Sequence, residues 1–231
     1  MGKRIISQAR GKGSLSYRVR KQAFAYRISY PKEKGQATIL KLIHSPAHSA
    51  PIIKAQLGRE IFYNVAFEGA LEGQKIAIGQ GNEKGNIAML KDIPLGTSIF
   101  NIELNPGDGG RMMRAAGTSA VIFKQYEFGK IGVLMPNKKE IILDGNCMAT
   151  IGIVAGTGKR QKPFITAGRK FYKMKAKGGR IWPRTSAVKM NAVDHPFGSG
   201  RGKRIKQKIA KRNAPPGAKV GHLRPRRTGR R

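Results

Sequence analysis

Between residues 31 and 158, short apolar or alternating runs recur at close intervals: Thr38–Ile43, Ile61–Phe67, Gln74–Ile78, Thr97–Leu104, Ala120–Tyr126, Lys130–Met135, Glu140–Leu143 and Cys147–Ala155. They are rich in Ile, Val, Phe and Tyr, whose branched or aromatic side chains suit a pleated sheet. Turn chemistry separates them: Gly79-Gln80-Gly81-Asn82, Asn105-Pro106-Gly107-Asp108-Gly109-Gly110, Met135-Pro136-Asn137 and Asp144-Gly145-Asn146. This rhythm predicts a mainly β fold of two small barrels rather than one long sandwich, divided near Lys91–Pro94.

Residues 171–231 lack that rhythm. Gly178-Gly179, Pro183, Pro196, Gly198, Gly200, Gly202, Pro215-Pro216-Gly217, Gly221, Pro225 and Gly229 interrupt every run. Such a segment buries too little apolar surface to offset its ordering entropy, and is expected to be irregular and disordered by itself. One short helix is expected over Lys203–Lys211, where Ile205 and Ile209 share a face.

Charge sharpens this division. The 231 residues carry 46 Lys+Arg against 12 Asp+Glu, a formal net charge of +34. Residues 1–30 account for +8, residues 31–158 for +3, and residues 159–231 for +23 with the single acid Asp194. A nearly neutral middle is flanked by basic arms. Self-repulsion at this density opposes compaction unless a polyanion neutralises it, and nucleic acid is the commonest such partner. An anionic membrane would also attract the charge, so charge alone leaves the partner open.

Other classes fall away. Cys147 is the only cysteine, which removes a disulfide framework or a thiolate zinc cluster within the chain. The N-terminal stretch has no apolar signal core, Ile6 stands where myristoylation wants Ser or Thr, and no apolar run is long enough to span a bilayer. A soluble, cytoplasmic protein is expected.

Several stretches imitate catalytic or nucleotide-binding motifs. Gly156-Thr157-Gly158-Lys159-Arg160 resembles the end of a phosphate loop, but Ile153 and Arg160 replace its required Gly and Ser/Thr. RNA phosphate remains a fitting ligand for its amides and cations. Gly79–Gly85 misses the dinucleotide fingerprint and reads better as a hairpin turn. His44 and His48 have helical metal-clamp spacing, yet Pro46 and Pro51 argue for a loop pair. Asp194 and His195 offer an orienter and a general base. Neighbouring side chains on an extended chain diverge, however, and nothing places Ser199 as nucleophile. Trp182, the only tryptophan, either caps the second barrel or stacks on an exposed base.

At Met190–Gly200 the sequence MNAVDHPFGSG resembles the MNPV(D/E)HP(H/F)GGG signature of the ribosomal protein L-two family, a universal family of the large ribosomal subunit. Further blocks resemble the family in matching order: Met1–Ser14, Gly107–Ala116, Gly152–Lys162, Lys175–Arg184 and Lys219–Arg230. The opening and the RRTGR ending are similar to archaeal or eukaryotic members rather than bacterial ones. Ala192 and Ser199 depart from the signature's Pro and Gly, without removing a charge or the His-Pro turn.

The resemblance implies an oligonucleotide-binding-fold barrel over residues 34–92 and an SH3-like barrel over 93–170. It also implies basic extensions over 1–33 and 171–231 that penetrate ribosomal RNA. It implies a structural constituent of the large subunit, not an enzyme, that supports subunit association and the peptidyl transferase region. Partners would be large-subunit ribosomal RNA, neighbouring ribosomal proteins and the small subunit at the interface, with no membrane. No cofactor or metal is expected for the protein alone, and magnesium ions are expected with the bound RNA.

The RNA-binding candidates fall in groups along the chain. Arg4, Arg10, Lys12, Arg18 and Arg20 lie in the N-terminal arm. Arg111, Arg114, Lys159, Arg160, Lys162 and Arg169 lie in the middle. Lys175, Lys177, Arg180, Trp182 and Arg184 precede the signature loop, whose Asn191, Asp194, His195 and Gly198 the resemblance places towards the peptidyl transferase region. Arg201, Lys203, Arg204, Arg226 and Arg227 complete the set. Two other classes remain on the table. An RNA-modifying or acyl-transfer enzyme would depend on His195, and a DNA-compacting protein would prefer duplex DNA.

Overall fold

The fold is described from a computed structural model, for residues 3–179, 181–199 and 208–224. The chain divides into a β unit, Lys21–Ala167, and an arm unit of Met1–Arg20 with Gly168–Arg231. The expected mainly β character holds, since ten of the strands lie in the β unit.

In the β unit the strands are β1 (Gly35–Ile43), β2 (Ile52–Leu57), β3 (Glu60–Val65), β4 (Lys75–Ile78), β5 (Ile87–Met89), β6 (Ser98–Phe100), β7 (Ala120–Gln125), β8 (Lys130–Leu134), β9 (Glu140–Asp144) and β10 (Met148–Ile151). All eight expected runs contain a strand. Two more, β2 and β5, were not expected. Among the described residues they form one ten-stranded sheet in the order β3-β2-β1-β4-β5-β10-β6-β7-β8-β9. Among the described residues, β3 and β9 are its free edges, and no strand pairing closes it into a ring.

The sheet serves two apolar cores. The first gathers Ile39, Ile52, Ile53, Phe62, Ile76 and Ile87, and reaches forward along the chain for Phe100, Ala116 and Val154. The second holds Leu90, Ile99, Ile102, Ile122, Ile131, Val133 and Cys147. The split falls between Ile87 and Ala88 in β5. Burying large aliphatic side chains such as these contributes about 1.5–3 kcal/mol each.

One turn differs from its expectation. The Gly79–Gly85 segment is not a hairpin, because β4 and β5 pair in parallel through Ile78 and Ile87. Across this connection Asn86 Oδ1 accepts the Ala77 N–H at 2.8 Å. Gly85 is pinned by its N–H donating to the Ile151 carbonyl, 2.8 Å, and a Cβ there would overlap the Phe67 ring. The long runs Thr97–Leu104 and Cys147–Ala155 are also cut short. Asn101 turns to φ 49° and Gly152 to φ 117°, which ends β6 and β10.

The arm unit contains α1 (Ile6–Gly11), α2 (Ala167–Lys177) and the parallel pair β11 (Ile209–Ala210) with β12 (His222–Leu223). The C-terminal arm is therefore not wholly irregular. AGRKFYKMKAK is dominated by good helix formers, and Gly178 at φ 70° supplies the left-handed residue that ends α2. The Lys203–Lys211 helix expectation fails where it can be seen: Ile209 and Ala210 are extended, and residues 203–207 lie outside the described residues. Lys3 donates its N–H to the Val193 carbonyl at 2.9 Å, and Val19 bridges Gly178, so the two arms meet each other.

Candidate nucleic-acid interface

Twenty-seven of the Lys and Arg residues belong to the arm unit, with Asp194 its only acid. Arg4, Arg10, Lys12, Arg18, Arg20, Arg169, Lys175, Lys177 and Arg184 are all exposed there. Long cationic side chains held in water can meet phosphate, and of these Arg18 also donates through Nε to the Gly13 carbonyl. Arg180, Arg201, Lys203, Arg204, Arg226 and Arg227 lie outside the described residues, as does the Arg160 side chain.

The Asn191–Ser199 loop is tightly built. Asn191 and Ser199 form a bridge, and the Asn191 carbonyl accepts the N–H groups of Asp194 and His195 at 3.0 and 3.2 Å. Gly198 is buried, its N–H donating to the His195 carbonyl at 2.8 Å, and a Cβ on it would overlap the Asn191 backbone. His195 Nδ1 accepts the Phe197 N–H at 3.0 Å, and the two rings meet edge to face at 5.0 Å. With Nδ1 engaged as acceptor, a neutral ring carries its proton on Nε2. Asp194 instead faces Lys3, 3.5 Å from Nζ. Among the described residues, no hydrogen bond joins the His195 ring to the Asp194 or Ser199 side chain. His195, Asp194 and Trp182 are half-buried, and Asn191 is exposed. Lys170 Nζ lies 5.1 Å from the centroid of the Trp182 ring.

Arg111, Arg114, Lys159 and Lys162 belong to the β unit. Arg111 is exposed and Arg114 half-buried, with Nη1 donating to the Gly110 carbonyl at 3.1 Å. Burial lowers the Arg114 guanidinium below its ordinary value, against the opposing pull of Tyr30. Their loop is organised by a residue that sequence reasoning missed. The Glu103 carboxylate, 1% exposed, accepts N–H groups from Gly107 (3.2 Å), Gly109 (2.8 Å) and Met148 (2.8 Å). Its one signal in the sequence is an acid inside an apolar run just before a glycine-rich loop. Lys159 Nζ donates to the Ser49 carbonyl at 2.6 Å, and Thr157 Oγ1 lies 3.2 Å from Glu68 Oε1. These hold Gly156–Arg160, whose residues 157–160 form a 3-10 turn rather than a phosphate loop opening a long helix.

His44 and His48 sit in the loop after β1, where His48 Nδ1 is 2.8 Å from Ser45 Oγ. Among the described residues no group of three or more His, Cys, Asp or Glu side chains is placed to hold a metal ion. No described helix is long and apolar enough to cross a membrane.

Residues 83–217 match the family described as Ribosomal Proteins L2, C-terminal domain. The chain is 45% identical to the large ribosomal subunit protein uL2 of Archaeoglobus fulgidus across 99% of both chains. The chain belongs to the ribosomal protein L2 family. Similarity to other L2 proteins is as extensive: 41% identity to uL2 of Korarchaeum cryptofilum over all of this chain and 96% of that one. For uL2 of Methanopyrus kandleri the figure is 42%, over all of this chain and 98% of that one. The L2 match spans the Glu103 loop, α2 and the Asn191–Ser199 loop together.

Proposed function

We propose that the protein is a structural constituent of the large ribosomal subunit that binds large-subunit ribosomal RNA and performs no chemistry itself. The observation that carries this reading is near-full-length similarity to proteins named as large ribosomal subunit protein uL2. The arm unit agrees physically, since its charge requires a polyanion and its exposed cations are available to one.

In this reading, residues 34–92 and 93–170 serve as an oligonucleotide-binding-fold barrel and an SH3-like barrel. Residues 1–33 and 171–231 enter the RNA. The cations named from sequence neutralise phosphates and displace counterions. Asn191, Asp194, His195 and Gly198 present a fixed loop towards the peptidyl transferase region and support its architecture by packing. Neighbouring ribosomal proteins and the small subunit are further partners, magnesium ions accompany the RNA, and the protein resides on cytoplasmic ribosomes.

The test is co-sedimentation of the tagged chain with large subunits after a high-salt wash. Retention on the large subunit is expected; a chain found only in the ribosome-free fraction defeats the proposal. His195→Ala particles that assemble should keep normal peptide-bond chemistry. A loss of chemistry in intact His195→Ala particles would instead favour the enzyme reading.

A further inference from the structure

A cleft of about 400 Å³ opens within the arm unit, between the N-terminal segment, α2 and the chain that follows α2. Phe171, Met174, Ile181 and Trp182 make one part of its lining aromatic and apolar, whereas Arg18, Arg20 and Lys175 make another part cationic. No acidic side chain is among the lining residues.

Its walls are fixed by backbone. Gly178 donates its N–H to the Met174 carbonyl at 3.0 Å, and Gly179 donates to the Arg18 carbonyl, also at 3.0 Å. A Cβ on Gly178 would stand 2.9 Å from that same Arg18 oxygen, so this close approach of two chain segments depends on glycine. Val19 makes the bridge to Gly178, and Arg18 and Arg20 flank it. Residues two apart on an extended stretch project to the same side, which explains why both guanidinium side chains line the cleft.

The aromatic groups here do not behave as core. α2 buries none of its residues, and Phe171 and Ile181 remain 42% and 49% exposed. An apolar surface left open inside the most cationic part of the chain calls for an occupant that is both flat and apolar and attached to negative charge. An unpaired nucleotide is such a molecule: its base offers a π-face and its phosphates take Arg forks.

We propose that this cleft receives an unpaired nucleobase of RNA, stacked on Trp182 and Phe171, with the adjoining phosphates held by Arg18, Arg20 and Lys175. The proposal rests on the RNA-binding reading above and specifies where an unpaired base is taken. Paired bases are excluded because their faces are already stacked within a helix.

Trp182 is the only tryptophan in the chain, so intrinsic fluorescence reports on this cleft. The full chain is titrated with three RNAs of equal length: unstructured oligoadenylate, an abasic strand, and a perfect duplex. Oligoadenylate is expected to quench Trp182, while the abasic strand and the duplex bind by charge and leave the emission largely unchanged. Trp182→Ala should weaken oligoadenylate binding about 5- to 150-fold, the range for one lost stacking partner, with duplex affinity held within about twofold. Trp182→Phe, which keeps a ring, should retain most of that binding. Equal quenching by abasic and adenylate strands in the unaltered protein overturns the proposal, as does a Trp182→Phe protein that loses affinity for all three RNAs alike. Failure of the unaltered chain to bind any of the three would instead sink the RNA-binding reading itself.

Discussion

Glu103 and Tyr30 show how single buried polar groups govern the β unit. Glu103 gives the loop Gly107–Gly110 its shape through N–H bonds from Gly107 and Gly109, and ties it to β10 through Met148. Glu103→Ala would take the acceptor from three N–H groups, of which Gly109 and Met148 are half-buried and Gly107 exposed, and is expected to cost about 1–3 kcal/mol, read as a lower urea midpoint; Glu103→Gln, which keeps an acceptor, should cost less. Tyr30 Oη donates to the Asn101 carbonyl at 2.6 Å and lies 2.8 Å from Thr150 Oγ1, in the same buried group as Asn64. Burial raises the Tyr30 phenol above its ordinary range and pushes the Cys147 thiol up to about 11, with Glu103 and Asp144 adding to the thiol shift. Both groups are neutral in the fold and ionise sooner once unfolded, so the unfolded chain binds fewer protons at high pH. Stability should therefore be level through neutral pH and fall from about pH 9 to pH 11, as the unfolded thiol ionises before the folded one. Cys147→Ala should remove the thiol's share of that fall and leave the share from Tyr30. Denaturation midpoints unchanged between pH 8 and pH 11 would contradict this. Only Glu103 left a trace in the sequence, as an acid inside an apolar run; Tyr30 sits in the basic N-terminal stretch, where nothing marks it for burial.

Among the elements, the strands were the most legible. β1, β3, β4 and β6 to β10 announce themselves through β-branched runs between turns, because period-2 burial is a local property. β2 and β5 did not. Ile52–Leu57 carries Lys54 and Gln56 within its run, and Ile87–Met89 is only three residues long. Nor could spacing alone reveal that β4 and β5 run parallel, since strand direction is set by the path of the chain between Ile78 and Ile87. α2 was missed because the surrounding glycines and prolines dominate the composition of the arm. Its end is the sharpest test of how the arms associate. Gly178→Ala imposes a side chain at φ 70° and crowds the Arg18 oxygen at 2.9 Å. The expected cost is about 1–3 kcal/mol. Amide exchange should accelerate at Gly179, whose N–H donates to Arg18. Unchanged protection there would mean the arms are not joined at this point.

Across the molecule, charge is sorted between units: the arm unit has 27 of the 46 basic residues and one of the 12 acids. If roughly ten cations contact phosphate, affinity for isolated ribosomal RNA should fall with salt along a log–log slope of about −7 to −9. A filter-binding slope shallower than about −2 would rule out phosphate neutralisation as the main source of affinity. Chain sequence by itself determined the β character of the middle, the charge imbalance, the lack of a cysteine framework and the family resemblance. Each of these is a local pattern or a simple sum, readable without knowing the path of the chain. Only the tertiary structure decided that Phe100, Ala116 and Val154 join the first core, that Glu103 ties its loop to Met148 in β10, and that Val19 meets Gly178 to wall a cleft beside Trp182. Those contacts link residues remote in sequence, and burial or hydrogen bonding assigns them a partner only once the chain has folded back upon itself.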